Sequence, residues 1–115
     1  MVLDNDEILN LVLQNDFEKL KVLLQNQSDK NPVIYEDEYG TKYTVLHVAA
    51  GEGHLDIIKG YKDILGIENL NPIDDNDNTP LSLASHQGHL DVAEYYIENG
   101  CKASSKVSFL LFNPE

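Results

Sequence analysis

Thr44–Ile58, TVLHVAAGEGHLDII, and Thr79–Ala93, TPLSLASHQGHLDVA, are two copies of one pattern. Thr falls on Thr, Leu46 on Leu81, Ala49 on Ala84, Gly53 on Gly88, His54 on His89, Leu55 on Leu90 and Asp56 on Asp91, at an offset of 35 residues. A fainter copy lies upstream. Ile8–Leu24, ILNLVLQNDFEKLKVLL, matches Leu46–Lys62 at an offset of 38 as an apolar helix, a short polar break and a second helix. Repetition at this period signals stacked supersecondary units rather than one irregular globule.

Each unit reads as a helical hairpin. Thr44 and Thr79 suit the N-cap position, and Pro80 the first helical position, where its missing N–H costs nothing. Ala49 and Ala50, then Ala84 and Ser85, keep one side of the first helix small enough for a neighbouring helix to approach. Gly53 and Gly88 suit the left-handed conformation that ends a helix and reverses the chain. A second helix follows, with Leu90, Val92, Ala93, Tyr96 and Ile97 forming an apolar face between Asp91, Glu94 and Glu98, and Gly100 stopping it. A hairpin this small cannot bury its apolar face alone, so the copies must stack around a shared core.

Outside the repeat, composition excludes several classes of function. The 115 residues are one domain's length, 42% hydrophobic and 24% charged, as in an ordinary soluble chain. Acids outnumber bases 20 to 8 for a formal charge of −12, which argues against nucleic-acid binding. Every base is Lys, and without Arg there is no planar fork for phosphate and no arginine finger. Cys101 is the single cysteine, so no internal disulfide forms and a reducing compartment, cytosolic or nuclear, is expected. The amino terminus, MVLDNDEILNLVL, carries acids where a secretory signal carries bases, and no membrane association is expected.

Thr79-Pro80-Leu81, Ala84, Gly88-His89-Leu90 and Gly100, with Asn71 and Asp74 in the preceding loop, resemble the ankyrin repeat. The resemblance is specific over 44–104, loose over 5–26, and gone past Ser104. It implies an all-α fold, a solenoid of stacked helix-turn-helix hairpins with β-hairpin-like finger loops, in a single domain. The expected divisions are an N-terminal capping helix pair at about 4–26, a long finger at 27–43, repeats at 44–71 and 72–104, and a divergent tail at 105–115. In the family the His after Thr-Pro-Leu braces the turn through hydrogen bonds. His47 occupies that position in the first full unit and Ser82 replaces it in the next, so only the first unit is expected to have the brace. Two residues more separate Gly53 from Asn71 than Gly88 from Ser104, and the extra length is expected around Gly66 as a looser helix end.

The first finger has β-forming Val33, Ile34 and Tyr35 on one arm and Lys42 and Tyr43 on the other, with Asp37-Glu38-Tyr39-Gly40 at the tip. The second has DDNDN at its tip. The tail KVSFLLFNPE has two readings: a cap folded over the Tyr95/Tyr96 helix, or the truncated start of a further unit.

Several side-chain groups invite chemistry that their spacing does not support. From Asp75, an EF-hand loop would continue through Asp77 and Thr79, but Pro80 replaces its Gly and His86 its bidentate Glu. His86 and His89 straddle a helix break, so their rings need not share a face for a metal. No strand-turn-helix elbow surrounds any Ser, so no catalytic residue is expected. The expectation is a non-enzyme without metal or cofactor.

What the resemblance implies instead is a non-catalytic adaptor or scaffold role: a monomeric protein-binding module whose fingers and first helices line one concave surface. Mapped here, that surface comprises Glu36, Asp37, Glu38, Tyr39 and Lys42 of the first finger and Asp74, Asp75 and Asp77 of the second. The first helices add Val48, Glu52, Ser82, His86 and Gln87. Acids around an aromatic suit a basic partner segment, with Tyr39 as anchor. The same acids equally serve solubility alone. A different class of reading is a structural segment of a longer repeat array with no partner of its own; a metal-binding or hydrolytic enzyme is a distant third.

Overall fold

The computed structural model describes residues 5–73 and 78–99. Among them are three helical hairpins: α1 (Asn5–Leu13) with α2 (Phe17–Gln25), α3 (Val45–Gly51) with α4 (Leu55–Asp63), and α5 (Pro80–His86) with α6 (Leu90–Glu98). Strands β1 (Val33–Glu36) and β2 (Lys42–Thr44) form an antiparallel finger between the first and second hairpins. Helices α1, α3 and α5 pack side by side as an inner row, and α2 packs on α4 behind them. Asp74, Asp75, Asp77, Gly100, Cys101 and the 105–115 tail lie outside the described residues.

Local chemistry sets the helix boundaries. The Thr44 side chain accepts from the His47 N–H, and the Thr79 side chain from the Ser82 N–H, so each caps its helix as its sequence position implies. Gly53 and Gly88 turn the chain with φ of 78° and 77°. In the first unit the equivalent residue is Asn15, which takes φ 56°; Asn tolerates this region better than most residues, so the turn survives without the glycine. Helix α4 ends at Asp63, and the chain then closes back on it through Ile67 N–H to the Tyr61 carbonyl, 2.9 Å. The looser helix end lies next to Gly66, where the extra residues were expected.

One apolar cluster runs through all three units. It takes Ile8 and Val12 from α1, Leu20 and Leu24 from α2, Leu46, Ala49 and Ala50 from α3, and Ile57, Ile58 and Tyr61 from α4. Leu81, Ala84, Val92, Ala93 and Tyr96 continue it through the last hairpin. Each buried Leu or Ile contributes about 1.5–3 kcal/mol, and no unit could collect enough of these alone. Close approach is built in: a Cβ on Gly60 of α4 would stand 2.4 Å from the Phe17 ring of α2. Leu90 and Ile97, expected on the apolar face of the last helix, are exposed, because the helix turns only Val92, Ala93 and Tyr96 fully inward.

The connections repeat as faithfully as the helices. Asn31 Oδ1 accepts from the Leu46 N–H at 2.9 Å, and Asn71 Oδ1 from the Leu81 N–H at 3.0 Å. Those bonds span 15 and 10 residues, so the first finger is five residues longer between the same two anchors. The added length forms the hairpin. Its pairs are Val33 with Thr44, Tyr35 with Tyr43 and Glu36 with Lys42, leaving Ile34 as a bulge residue. Strand alternation turns Ile34 into the core while Val33 and Tyr35 stay exposed, and β1 packs against α1.

A concave groove beneath the first finger

The finger overhangs the inner helices and encloses an open groove of about 640 Å³. Leu9 and Leu13 of α1, Val48 of α3 with its C-cap Glu52, and Leu83 and Gln87 of the last hairpin line one side; Tyr35, Asp37 and Tyr43 of the finger line the other. His47, Gly51 and His89 complete it. No lysine is among these residues, so the groove is apolar with two carboxylates and no fixed positive charge.

Asp37 organises the finger tip. Its Oδ1 accepts from the Tyr39 N–H at 3.0 Å and the Thr41 N–H at 2.9 Å, and its Oδ2 from the Tyr43 hydroxyl at 3.1 Å. Desolvation pushes the carboxyl upward in pKa, but the N–H groups of Thr41 and Tyr39 and the Tyr43 and Thr41 hydroxyls favour the anion, and the net position is below the ordinary carboxylate value. Asp37 therefore holds the turn as well as charging the groove. An aromatic row continues from it: Tyr35 stacks on Tyr43 at 5.8 Å between centroids, and Tyr43 meets His47 edge-on at 6.4 Å.

His47 supplies the expected brace. Its Nε2 lies 3.1 Å from the Asn78 carbonyl, an acceptor, so the ring proton sits on Nε2 and Nδ1 accepts from the Thr44 hydroxyl at 2.7 Å. The bond ties α3 to the segment leading into α5. In the next unit Ser82 turns back on its own helix start: its Oγ accepts from the Thr79 N–H at 2.9 Å, closing a capping box. Two of the other histidines, His54 and His89, are also engaged between units. His54 Nε2 donates to the Leu13 carbonyl at 3.1 Å, and the His89 ring covers Gly53, where an added Cβ would approach to 2.6 Å.

The residues expected at the surface thus divide. Val48, Glu52, Gln87 and Asp37 come together in the groove. Glu36, Glu38 and Tyr39 stand exposed on the finger, Tyr39 at 84%, and Lys42 faces Glu36 across the hairpin. Ser82 is half-buried in its capping box, and His86 is exposed outside the groove lining. Asp74, Asp75 and Asp77 lie outside the described residues. Leu9, Leu13, Tyr35, Tyr43 and Leu83 line the groove without having been expected there. For Leu83 the signal existed, since the 35-residue offset carries Val48 onto it; Leu9 and Leu13 belong to the unit whose pattern is faintest.

Among the described residues no three His, Cys, Asp or Glu side chains stand together to hold a metal ion, and no helix is long and apolar enough to cross a membrane.

A family model described as ankyrin repeats, in three copies, matches residues 8–107. The chain belongs to the ankyrin repeat family. The three hairpins form the helix-turn-helix solenoid of that fold, with a two-stranded sheet as the finger. Ankyrin repeats are generally protein–protein interaction modules and typically non-catalytic. The chain is also similar to alpha-latrotoxin-Lh1a of Latrodectus hasselti, with 44% identity over 59 residues, 51% of this chain and 4% of that protein's length.

Proposed function

We propose that this ankyrin stack is a non-catalytic adaptor that binds a basic protein segment in the groove beneath its first finger. The groove's chemistry carries the reading: Leu9, Leu13, Val48 and Leu83 offer apolar contact, Asp37 and Glu52 offer negative charge, and no lysine lines it. Glu36 and Glu38 at the rim steer a cation toward it, while apolar contact in the groove supplies affinity. Tyr39 stands exposed on the finger, outside the groove lining. Within this reading the protein acts as a monomer, in the cytosol or nucleus, where Cys101 stays reduced.

The test is capture of partners from native lysate by the wild type, Leu83→Asp, Glu52→Lys and, as a control on α6, Glu94→Lys. A partner retained by the control and lost by both groove variants, with weaker capture at high salt, supports the proposal. Equal capture by all four variants sinks it.

A second reading draws on the alpha-latrotoxin-Lh1a likeness, which covers a short stretch of a far longer protein. In that reading the repeats of this chain serve as a structural segment of a longer array with no partner of their own. The same experiment separates the two, because that role produces no groove-dependent capture.

A further inference from the structure

The aromatic row in the groove ends in a half-exposed ring. Tyr35 is 47% exposed, Tyr43 is partly buried behind it, and His47 is buried behind Tyr43. The Tyr43 hydroxyl donates to Asp37 Oδ2, which places the anion beside the middle ring of the row and enriches that ring, on which Tyr35 stacks. Glu52 shares the groove with this row, and Leu9 and Leu13 make it less water-like than open surface. Electron-rich rings beside carboxylates at an apolar wall favour a flat cation.

We propose that Tyr35 seats an arginine side chain of the partner, its guanidinium stacked on the ring and its in-plane N–H groups turned toward the Asp37 and Glu52 carboxylates. The seat rests on the groove-docking reading and specifies what that groove recognises. Arginine fits better than lysine because a planar guanidinium stacks and donates at the same time, whereas an ammonium is a strongly hydrated point charge. The chain itself contains no arginine, so a second copy cannot fill the seat and the occupant is a different protein.

The test is an NMR titration of Tyr ring signals with Nα-acetylarginine amide, its neutral isostere Nα-acetylcitrulline amide, and Nα-acetyllysine amide over the millimolar range. Saturable shifts at Tyr35 and Tyr43 are expected with arginine, with about tenfold weaker binding for citrulline and an intermediate value for lysine. Tyr35→Leu abolishes the response; Tyr35→Phe, which keeps the ring, binds within about twofold of wild type. Non-saturating shifts for all three compounds, or unchanged arginine binding in Tyr35→Leu, overturn the seat. A captured partner that needs Leu83 and Glu52 but ignores Tyr35→Leu overturns the seat alone and leaves the docking groove standing.

Discussion

The hydroxyl of Tyr61 donates to the backbone carbonyl of Lys30 at 2.5 Å, tying the outer helix of the second unit to the base of the finger before it. Tyr96, 35 residues on, makes the same bond to the Leu70 carbonyl at 2.7 Å. Both rings are fully buried. These bonds lock each connection to the helix that follows it, so loops without regular structure still have a fixed path.

Tyr61→Phe keeps the ring and leaves the Lys30 carbonyl without that donor, so urea denaturation is expected to show a loss of about 1–3 kcal/mol. Burial, with the nearby Asp29, pushes the Tyr61 phenol far above its ordinary pKa. The unfolded chain releases that proton near pH 10 while the folded chain keeps it, so this contribution is complete below about pH 10 and lost as pH rises further. Wild type should therefore lose stability above that pH more steeply than Tyr61→Phe. Parallel alkaline curves would refute the assignment.

Gly53 and Gly88 share a repeat position and a left-handed backbone, but only Gly53 lies under a neighbouring ring. Gly88→Ala is expected to cost about 1–2 kcal/mol, the backbone term alone. Gly53→Ala adds overpacking against His89 for a total of about 2–5 kcal/mol, partly relieved in the double variant with His89→Ala. Equal melting-temperature losses for the two glycine variants would contradict this difference.

His47→Ser copies the Ser82 position into the earlier unit. A capping box can then replace the local Thr44 contact, but nothing replaces the donor to the Asn78 carbonyl. Stability should fall by about 1–3 kcal/mol, with amide exchange faster in α5 and α6 than in α3. Loss confined to α3 would show that the brace acts only within its own helix.

Asp37 holds its turn as an anion. Because its folded pKa is depressed, the contribution is present above the ordinary value of 3.8 and lost as pH falls through the folded value. The Tyr39 and Thr41 amide shifts should titrate together, with one midpoint below 3.8. Asp37→Asn should remove that transition. Its persistence would place the titrating group elsewhere.

Fold and site were legible to different depths. Thr44, Thr79, Pro80, Gly53 and Gly88 act through neighbours within a few residues, and each has the cap or turn that its type and position imply. The bulge in the first finger was less legible: alternation along VIYE turns Ile34 inward between Val33 and Tyr35, but it does not reveal the register shift between those two residues. The conversion of Asp37 from a partner-facing acid to the organiser of a turn was equally hidden, because it depends on three residues, Tyr39, Thr41 and Tyr43, folding back around one carboxylate.

The amino-acid sequence by itself determined that this chain is a stack of helical hairpins, since repeat spacing and caps are local properties and a small unit with one apolar face must share it. The tertiary structure decided which further side chains join Val48, Glu52, Gln87 and Asp37 in the groove. Leu9, Tyr35, Val48 and Leu83 come from three hairpins and a finger, and their convergence is set by how far the finger overhangs the inner helices, a distance that no local pattern encodes.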